Sequence, residues 1–419
     1  MPHPDPLDVI VVGAGIAGLS AGLSLGRAGH KVKVRIGPIL ERSDLQNEAG
    51  AAIMLCPNAA RPLLGCGMDP AGAGFVIAKQ SRIAHGATLA TVWQRSWDDI
   101  VTRFGAPWFF AHRQDLHTEL RRMAVAAGVT IETGKRVIDY AADGRGVVLD
   151  GGAVRGADVV VAADGVHSRA TEIVLGEKKA ARATGHSAFR FLIPTARINE
   201  SPEISQILDD SDGCLKVFFD DSGRRLIQNF VATFPDPDVD EAKDWNRVED
   251  PASLLNEYQR FHPALRAVLR EAKSVTKWPL LYRDPIATWH RSNLVIVGDA
   301  AHPMLPYQGQ AGAQAIEDGF ALGIMLGNLT KATAHLVPQR LQLLEKARVN
   351  RTSAMQIFSQ DVGTRAPDHI LEAALPFFDG EIPQDPTEFM LYSFAHDVIK
   401  ESEALLRREG LLDVASGLP

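Results

Sequence analysis

The apolar and polar positions between residues 8 and 34 follow the order strand, turn, helix, strand. A largely β-branched run at Val9–Val12 leads into a glycine-rich turn, leucines at helical spacing come next, and a second β-branched run ends at Val34. A change from strand-like to helical periodicity and back is typical of a βαβ unit. The glycines of the turn are spaced as G-x-G-x-x-G, at Gly13, Gly15 and Gly18.

Each position of this turn requires glycine for a different physical reason. The first permits a tight turn, the second lets the backbone approach a pyrophosphate, and the third lets the helix pack on the strand. The helix N-terminus then presents free N–H groups and the positive end of its dipole to a phosphate. A chance glycine turn is the alternative, but the strand before it and the helix after it favour a dinucleotide site.

The remaining pattern predicts a second sheet and a helical end. Alternating polar and apolar residues indicate strands at 80–97 and in short runs between 187 and 233, which suggests a separate antiparallel sheet. An amphipathic helix is predicted for 112–128, followed by three short strands between 130 and 150 that resemble a small meander. The last part of the chain is mostly helical with proline breaks.

Two further buried strands end in acidic turns, one at Asp164-Gly165 and one at Gly298-Asp299. In open α/β sheets, ligands bind beyond the carboxyl ends of the strands. We therefore expect these two turns and the first glycine turn to converge on one ligand site of an α/β fold.

Composition and charge narrow the class of protein. The 419-residue chain is 46% hydrophobic with a formal net charge of -7, which argues against a nucleic-acid footprint. The start lacks the basic and apolar regions of a signal peptide, and the apolar stretch at 319–329 is too short to cross a bilayer. Three scattered cysteines fit neither a disulfide framework nor a zinc site, and His302 is better read as stabilising a turn than as a metal ligand. We expect a cytoplasmic enzyme with no metal, no nucleic-acid partner and no membrane segment.

The three turn segments, taken with their neighbours, resemble a known family. GAGIAGLSAG, VVVAADGVHSRA and NLVIVGDAAHPMLPYQGQAGAQAIEDG are similar, in this order, to the three FAD motifs of the aromatic-hydroxylase-type (class A) flavoprotein monooxygenases. Within that group the chain resembles the salicylate-hydroxylase-like enzymes of fungal secondary metabolism over most of residues 8–360. The resemblance implies a Rossmann-like FAD-binding domain, an inserted antiparallel-sheet substrate domain and a helical C-terminal region. The implied boundaries are 1–80 plus 108–180 plus 286–345 for the FAD-binding domain, 81–107 plus 181–285 for the substrate domain, and 346–419 for the C-terminal region.

The family also implies a reaction. NAD(P)H as co-substrate would reduce a non-covalently bound FAD, and O₂ would add to give a flavin C4a-hydroperoxide. Its distal oxygen would then hydroxylate a small molecule, an aromatic or polycyclic natural-product intermediate, in a dry cavity supplied by the protein. An epoxidase or flavin oxidase on the same fold is one alternative, and a catalytically inactive FAD-binding protein is another.

The resemblance assigns cofactor-binding roles along the three motifs. Asp299 would accept hydrogen bonds from the ribityl hydroxyls, since a carboxylate only accepts, although a turn cap is the alternative. Arg113 would reach the flavin and pyrophosphate region, with a solvated helix-terminal arginine as the alternative. The small side chain of Ala52 suggests backbone close to the ligand, or a plain packed turn. The expected set is Gly13, Gly15, Gly18, Glu41, Ala52, Arg113, Asp164, Gly298, Asp299, Gly309 and Gly312.

Arg190 and Pro306 are the expected catalytic residues. In related enzymes an arginine at the position of Arg190 binds or polarises a phenolate or carbonyl, and a cation favours the ionised form of a phenol. A surface strand arginine, with its two phenylalanine neighbours facing the core, is the alternative. Pro306 resembles the proline that lines the flavin ring edge, although a simple turn proline is equally consistent. Phe218 and Phe219 stand where some relatives have a tyrosine, which suggests an apolar substrate larger than salicylate.

The second strand of the βαβ unit ends in an irregular segment. The fingerprint places an acid at the tip of that strand for the adenosine ribose. In the family this acid lies about 23 residues after the first glycine, which here falls on Ile36. Glu41 follows Gly13 by 28 residues, and removal of the five residues Arg35–Ile39 restores the spacing. We interpret Arg35–Ile39 as an insertion and Glu41 as the ribose ligand; in the rival interpretation Arg35 ends the strand and favours a 2′-phosphate.

Deleting Arg35–Ile39 should preserve or improve FAD retention, whereas Glu41→Ala should weaken it, because the ribose hydroxyls would lose their carboxylate acceptor. Titration of the apoprotein with FAD, followed by flavin fluorescence, measures both effects. The insertion interpretation is wrong if Glu41→Ala leaves FAD affinity unchanged while Arg35→Ala abolishes it.

Overall fold

Strands and helices alternate at the N-terminal end of the chain, while a large sheet and a helical region are formed later. The structure, a computed structural model, describes residues 5–35, 52–134, 136–193, 197, 200–202, 204, 212–228, 231–239, 247–360 and 366–412. The strands are β1 (Asp8–Val12), β2 (Lys31–Arg35), β3 (Ala52–Leu55), β4 (Val76–Ile77), β5 (Gln80–His85), β6 (Thr91–Ser96), β7 (Phe109–His112), β8 (Thr130–Glu132), β9 (Val137–Tyr140), β10 (Gly146–Leu149), β11 (Val154–Gly156), β12 (Val159–Ala162), β13 (Arg182–Arg190), β14 (Cys214–Phe219), β15 (Arg225–Ile227), β16 (Val231–Pro235), β17 (Arg247–Glu249), β18 (Val275–Tyr282), β19 (His290–Arg291) and β20 (Leu294–Ile296). The helices are α1 (Ile16–Arg27), α2 (Pro57–Gly65), α3 (Ile100–Phe104), α4 (Arg113–Ala126), α5 (Arg169–Leu175), α6 (Pro251–Glu257), α7 (Pro263–Arg270), α8 (Ala311–Leu326), α9 (Val337–Phe358), α10 (Asp368–Ala374), α11 (Pro386–Ala395) and α12 (Val398–Arg408).

A six-stranded sheet organises the first of these regions, with strand order β19-β20-β12-β1-β2-β8. Its pairs are parallel except that of β19 with β20. Val12 pairs with Ala162, and Ala162 pairs with Ile296, so the carboxyl ends of β1, β12 and β20 lie side by side. The turns that follow these three strands therefore start from one edge of the sheet, which confirms the predicted α/β arrangement.

The central strand β1 buries both of its faces, which explains its nearly continuous apolar sequence. Val9 and Val11 belong to one core, shared with side chains of α1, α4 and α8. Ile10 and Val12 belong to a second core on the opposite face, shared with β9, β10 and α5. The sheet is thus a middle layer between two packed layers.

Helices α1 and α8 approach each other closely in the first core. A Cβ atom on Gly319 would lie 2.5 Å from the backbone nitrogen of Ala21, and one on Gly323 would lie 1.9 Å from Ser24 Oγ. These contacts advance in the same direction along both helices, so the helices are parallel. Their N-termini consequently lie at the same end, beyond the carboxyl ends of β1 and β20.

The second large sheet has eight strands in the order β17-β18-β13-β16-β15-β14-β5-β6, antiparallel except for the pair β14–β5. One face packs against α6 and α7, with Phe189, Phe218 and Leu226 on the sheet, Leu254 on α6 and Leu265 on α7. The opposite face is left for other contacts. This sheet corresponds to the separate antiparallel sheet expected from the short alternating runs.

One prediction for this region is wrong. The strand at Thr130–Glu132 does not join the small meander, which consists of β9, β10 and β11. It pairs in parallel with β2 at the edge of the six-stranded sheet. The preceding helix α4 packs in the same core as α1 through Leu116 and Leu120, which returns the chain to that edge.

The chain ends in a helical region, as expected, built from the end of α9 with α10, α11 and α12. Phe358 at the end of α9 packs against Phe378 and Phe389, with ring centroids 6.2 Å and 5.0 Å away. Among the described helices, none combines enough length and apolar character to span a bilayer.

Gly319→Ala should lower the apparent Tm, because the added methyl group would meet backbone of α1 rather than a side chain that can move. We expect a loss of about 3 kcal/mol in unfolding free energy, the upper end for overpacking in a core. Thermal melts with saturating FAD measure the change. Gly65→Ala is the matched control: a Cβ there has no heavy atom within 4 Å, and alanine should be neutral or stabilising by up to about 1 kcal/mol in a helix. Equal melting temperatures for the two variants would contradict the close-packing argument.

Candidate active site

The first glycine turn has the contacts that its spacing predicts. Gly13 has φ +100°, and a Cβ on it would lie 2.3 Å from Ala163 O. A Cβ on Gly18 would lie 1.9 Å from Gly13 O. Gly15, by contrast, faces open space, with no heavy atom within 4 Å of a Cβ placed there. It is the N-cap of α1 and has no side-chain cap, so the N–H groups of the first turn are open to an anion beside Gly15.

The middle motif lies directly against this turn. The Cα atom of Asp164 would be 3.2 Å from a Cβ on Gly13. Tyr140 donates its hydroxyl to Asp164 Oδ2 at 2.5 Å. Burial raises the pKa of Asp164, while the hydroxyls of Ser168 and Tyr140 lower it. Gly165 has φ +86° and open space around it, so this turn too can admit a ligand close to its backbone.

The third motif places Asp299 at the start of α1. Gly298 has φ +61°, and a Cβ on it would lie 2.7 Å from Ala17 Cβ. Asp299 lies in the 3-10 helix Gly298–Ala300. Its side chain is accessible to solvent, yet desolvation by the neighbouring protein raises its pKa. It therefore faces a cleft at the carboxyl ends of the strands rather than the outer surface.

The charges of three arginines from different elements act on Asp299: Arg113 begins α4, Arg190 ends β13, and Arg283 follows β18. Partial burial raises the pKa of the Asp299 carboxyl, and the charges of His302, Arg113, Arg283 and Arg190 lower it. Three arginine charges near one carboxylate give this part of the fold an excess of positive charge, which suits an anionic ligand.

Arg190 lies on the face of the eight-stranded sheet opposite α6 and α7, since its neighbour Phe189 packs in the core on the helix side. Its guanidinium carbon lies 4.7 Å from the centre of the Trp278 ring. Burial and the charge of Arg113 lower the pKa of Arg190 to about 10, and Asp299 raises it. The buried Nε has no hydrogen-bond partner among the described residues. At neutral pH the Arg190 guanidinium is therefore a cation, and its Nε–H remains available to donate a hydrogen bond.

The Pro306 turn faces the same side of that sheet. Pro306 begins the 3-10 turn Pro306–Gln308, and the next ring, Tyr307, lies 5.2 Å from the Arg225 guanidinium carbon. Arg225 pairs across the sheet with Phe219, so Phe219 shares this face. Phe218 points the other way, into the core under α6 and α7. Of the two phenylalanines singled out in the sequence, only Phe219 is on the side of Arg190.

The start of α8 is packed against β3. A Cβ on Gly309, which has φ +63°, would lie 1.9 Å from Met54 Cε, and one on Gly312 would lie 2.7 Å from Ile53 Cδ1. Ala52 in the same strand pairs with His112, the residue before Arg113. The structure therefore brings the predicted residues of β3, α4 and α8 to one end of the fold.

Two of the sequence predictions concern residues that the structure does not describe. Glu41 and the segment 36–39 lie outside the described residues, so both stay predictions. Arg35 is the last residue of β2 and pairs with Val12 and Glu132.

A buried charge network beneath the site was missed by the sequence interpretation. Glu317 in α8 is fully buried and accepts two hydrogen bonds from Arg351, both at 2.8 Å, and one from Asn58 Nδ2 at 2.6 Å. Arg348 also donates to it. Burial alone would raise the pKa of Glu317, but Arg351 and Arg348 outweigh it and hold that pKa well below the usual value.

The neighbouring carboxylate, Asp318, holds the third motif directly. It accepts from Gly298 N at 3.0 Å, from His302 Nε2 at 2.5 Å and from Arg348 Nε at 2.9 Å. His302 thus stabilises the turn, as expected, and the described residues contain no group of three or more His, Cys, Asp or Glu side chains placed to hold a metal ion. The available signal was the adjacent pair Glu317–Asp318 in a helix whose other residues are apolar apart from Gln314, since buried charges require partners.

The residues present fit a dinucleotide cofactor. Gly15 leaves room at a helix N-terminus, where a Cβ would fill the space. Asp299 offers a carboxylate inside the cleft, and the arginines around it supply positive charge. An anionic pyrophosphate and a ring system that becomes anionic on reduction match these features.

Comparison with known proteins agrees with this geometry. Residues 6–356 match the model of a family described as FAD binding domain. The FAD-dependent monooxygenase phomE' of Diaporthe leptostromiformis is 35% identical over 384 residues, which cover 88% of this chain and 96% of the relative. The FAD-dependent monooxygenase cfoG of Aspergillus candidus is 33% identical over 423 residues, covering 96% and 95%. A solved salicylate hydroxylase substrate complex has a TM-score of 0.75 at 23% identity, with 96% and 98% coverage, and this similarity concerns the fold.

Glu317→Gln should destabilise the protein at pH 7 by about 3 kcal/mol, because it leaves buried arginine charge uncompensated. The folded-state pKa of Glu317 lies below the ordinary 4.5. Its contribution is therefore complete above that pH and is lost as the pH falls toward the folded-state pKa. The difference in apparent Tm between wild type and variant should narrow from pH 7 to about pH 3.5.

The control for this prediction is Glu409→Gln, which removes an exposed pair with Lys346 at 2.8 Å and should leave the apparent Tm almost unchanged. A Glu317→Gln difference that stays constant over the same pH range would contradict the assignment of an ionised, paired carboxylate.

Proposed function

The chain belongs to the FAD-binding-domain family and is an FAD-dependent monooxygenase, and on that premise we propose that it hydroxylates an aromatic or polycyclic natural-product intermediate with NAD(P)H and O₂. One observation carries the proposal: Arg190 of the second sheet is close enough to Asp299 of the third cofactor turn for each charge to shift the pKa of the other. The two fungal relatives of similar length are both named FAD-dependent monooxygenases.

The residues that would hold FAD come from the three turns. Gly13, Gly15 and Gly18 with the N-terminus of α1 would hold the pyrophosphate, and Asp299 the ribityl chain. The N-terminus of α8 would face the pyrimidine ring and favour its negative charge after reduction. FAD supplies, when bound, the acceptance of a hydride from NAD(P)H and the activation of O₂.

Arg190 would act on the substrate. It remains protonated at neutral pH, since its pKa is lowered only to about 10 by burial and by Arg113. A cation facing the cleft favours the ionised form of a phenol or enol and thereby raises the electron density of the ring that is hydroxylated. The partly enclosed position makes this interaction stronger than it would be in water.

The face of the sheet beside Arg190 supports an apolar substrate. Phe219, Ile227 and Val231 share this face through the pairing of β14, β15 and β16. Phe219 has no hydroxyl to bind a phenol, so recognition at this position would rest on apolar contact, together with the charge of Arg190. We therefore favour a substrate larger than a single benzoate ring.

The experiment that tests this function uses the purified, FAD-loaded protein with NADPH or NADH, labelled O₂ and a panel of phenolic and polycyclic compounds. Hydroxylation predicts substrate-stimulated NAD(P)H oxidation and a product heavier by one labelled oxygen atom. An epoxide with the labelled atom would identify an epoxidase, and oxidation without label an oxidase. Flavin that NAD(P)H never reduces would identify an inactive binding protein.

Arg190→Ala should leave FAD content unchanged while substrate-stimulated NAD(P)H oxidation falls roughly a hundredfold, the usual loss for an electrostatic contact to a reacting group. Arg190→Lys should restore part of the rate, because the charge remains. The control is Arg182→Ala on the same strand, since Arg182 is exposed and pairs with Asp284 at 3.4 Å. Loss of FAD from the Arg190→Ala protein would instead give Arg190 a structural role.

A further inference from the structure

The turn that carries Asp299 is held by side chains from distant parts of the chain. The first backbone amide of the turn, Gly298 N, donates a hydrogen bond to Asp318 Oδ2. Thr171 donates its hydroxyl to Ala300 O at 2.8 Å. Since the backbone oxygens of this turn point into protein rather than solvent, the position of Asp299 depends on the donors that reach them.

Arg283 is the one charged donor described on those oxygens. Its Nη2 donates to Ala300 O at 2.6 Å and to Ala301 O at 2.9 Å. The side chain is only 3% exposed. The carbonyl of Arg283 in turn accepts from Gln356 Nε2 at 2.5 Å, and the same amide donates to Pro303 O at 3.1 Å. Arg283 and Gln356 therefore clamp the turn from its C-terminal side.

The charge of Arg283 is not neutralised by a contacting carboxylate among the described residues. Its hydrogen bonds go to carbonyl oxygens, which leave the net charge in place, and its buried Nε has no partner among the described residues. Burial lowers the pKa of Arg283 to about 10, and Asp299 raises it. The group is a cation at neutral pH, close enough to act on the Asp299 carboxyl.

We propose that Arg283 is a positioning residue of the cofactor site, which fixes the Asp299 turn by its two carbonyl contacts and adds a positive charge beside the flavin position. Two consequences follow. Loss of the contacts lets Asp299 move and weakens FAD binding, and loss of the charge removes stabilisation of the reduced, anionic flavin more than of the oxidised, neutral one. The inference rests on the FAD cofactor and is independent of the substrate and of the nicotinamide.

Two variants separate the contacts from the charge. Arg283→Met keeps much of the volume and removes both, whereas Arg283→Lys keeps the charge and cannot reach both carbonyls in the planar geometry of a guanidinium. The readouts are the FAD dissociation constant of the apoprotein, the two-electron midpoint potential of the bound flavin with a chemical reductant, and the visible flavin spectrum. None of them requires turnover.

For Arg283→Met we expect FAD binding to weaken about tenfold. The ratio of affinities for reduced and oxidised flavin should also fall about tenfold, which for a two-electron couple lowers the potential by about 30 mV. Arg283→Lys should weaken FAD binding but keep the wild-type potential. Arg291→Met is the control, because exposed Arg291 also donates to a backbone carbonyl, Ile173 O at 2.9 Å, and should leave both quantities unchanged.

A purely structural role predicts a different pattern: a lower Tm for Arg283→Met with wild-type FAD affinity and potential. That result would overturn the proposal. If Arg283→Met does not fold, Arg283→Lys decides the question, since wild-type FAD affinity in that variant shows that the carbonyl contacts do not position the cofactor turn.

Discussion

The close contact between α1 and α8 is the constraint on which the site depends. Gly319 and Gly323 remove the side chains that would hold these parallel helices apart. Because each helix begins just beyond the sheet edge, their close packing brings both positive helix ends to one cleft. The two ends come from segments about 300 residues apart in the sequence, so no local interaction could set their spacing. The contact between α1 and α8 therefore determines the distance between the two helix N-termini that would hold the two halves of the cofactor.

Charge is distributed in two layers around this contact. Beneath the cleft, Glu317 and Asp318 are paired with Arg348 and Arg351 in a buried network that is close to neutral. At the cleft, Asp299 faces several arginines, and positive charge is in excess. A neutral lower layer fixes geometry by satisfying buried groups, while the charged upper layer supplies the field that an anionic cofactor meets.

The sequence predicted the elements that have a regular apolar periodicity or a glycine motif. The βαβ unit, the sheet edge, the amphipathic helix of α4 and the long helix of α8 all follow from local spacing. It failed where the partner is distant: Thr130–Glu132 was assigned to the wrong sheet because three residues carry no information about which edge they join. Arg283 and the partners of Glu317 were missed for the same reason. From sequence alone an arginine is expected to be exposed, because the carbonyl or carboxylate acceptors that would allow its burial are not visible in the sequence.

The order of strands in the six-stranded sheet has a consequence for synthesis on the ribosome. The central strands of this sheet can pair only after the later ones are synthesised: β1 pairs with β12, and β12 pairs with β20. At about 5–20 residues per second, the side of α1 that packs against α8 waits about 15–60 s for its partner, whereas β2 and α4 are available earlier. A fragment that ends before residue 311 lacks the whole of α8, so the face of α1 that packs against Gly319 and Gly323 would remain exposed to water.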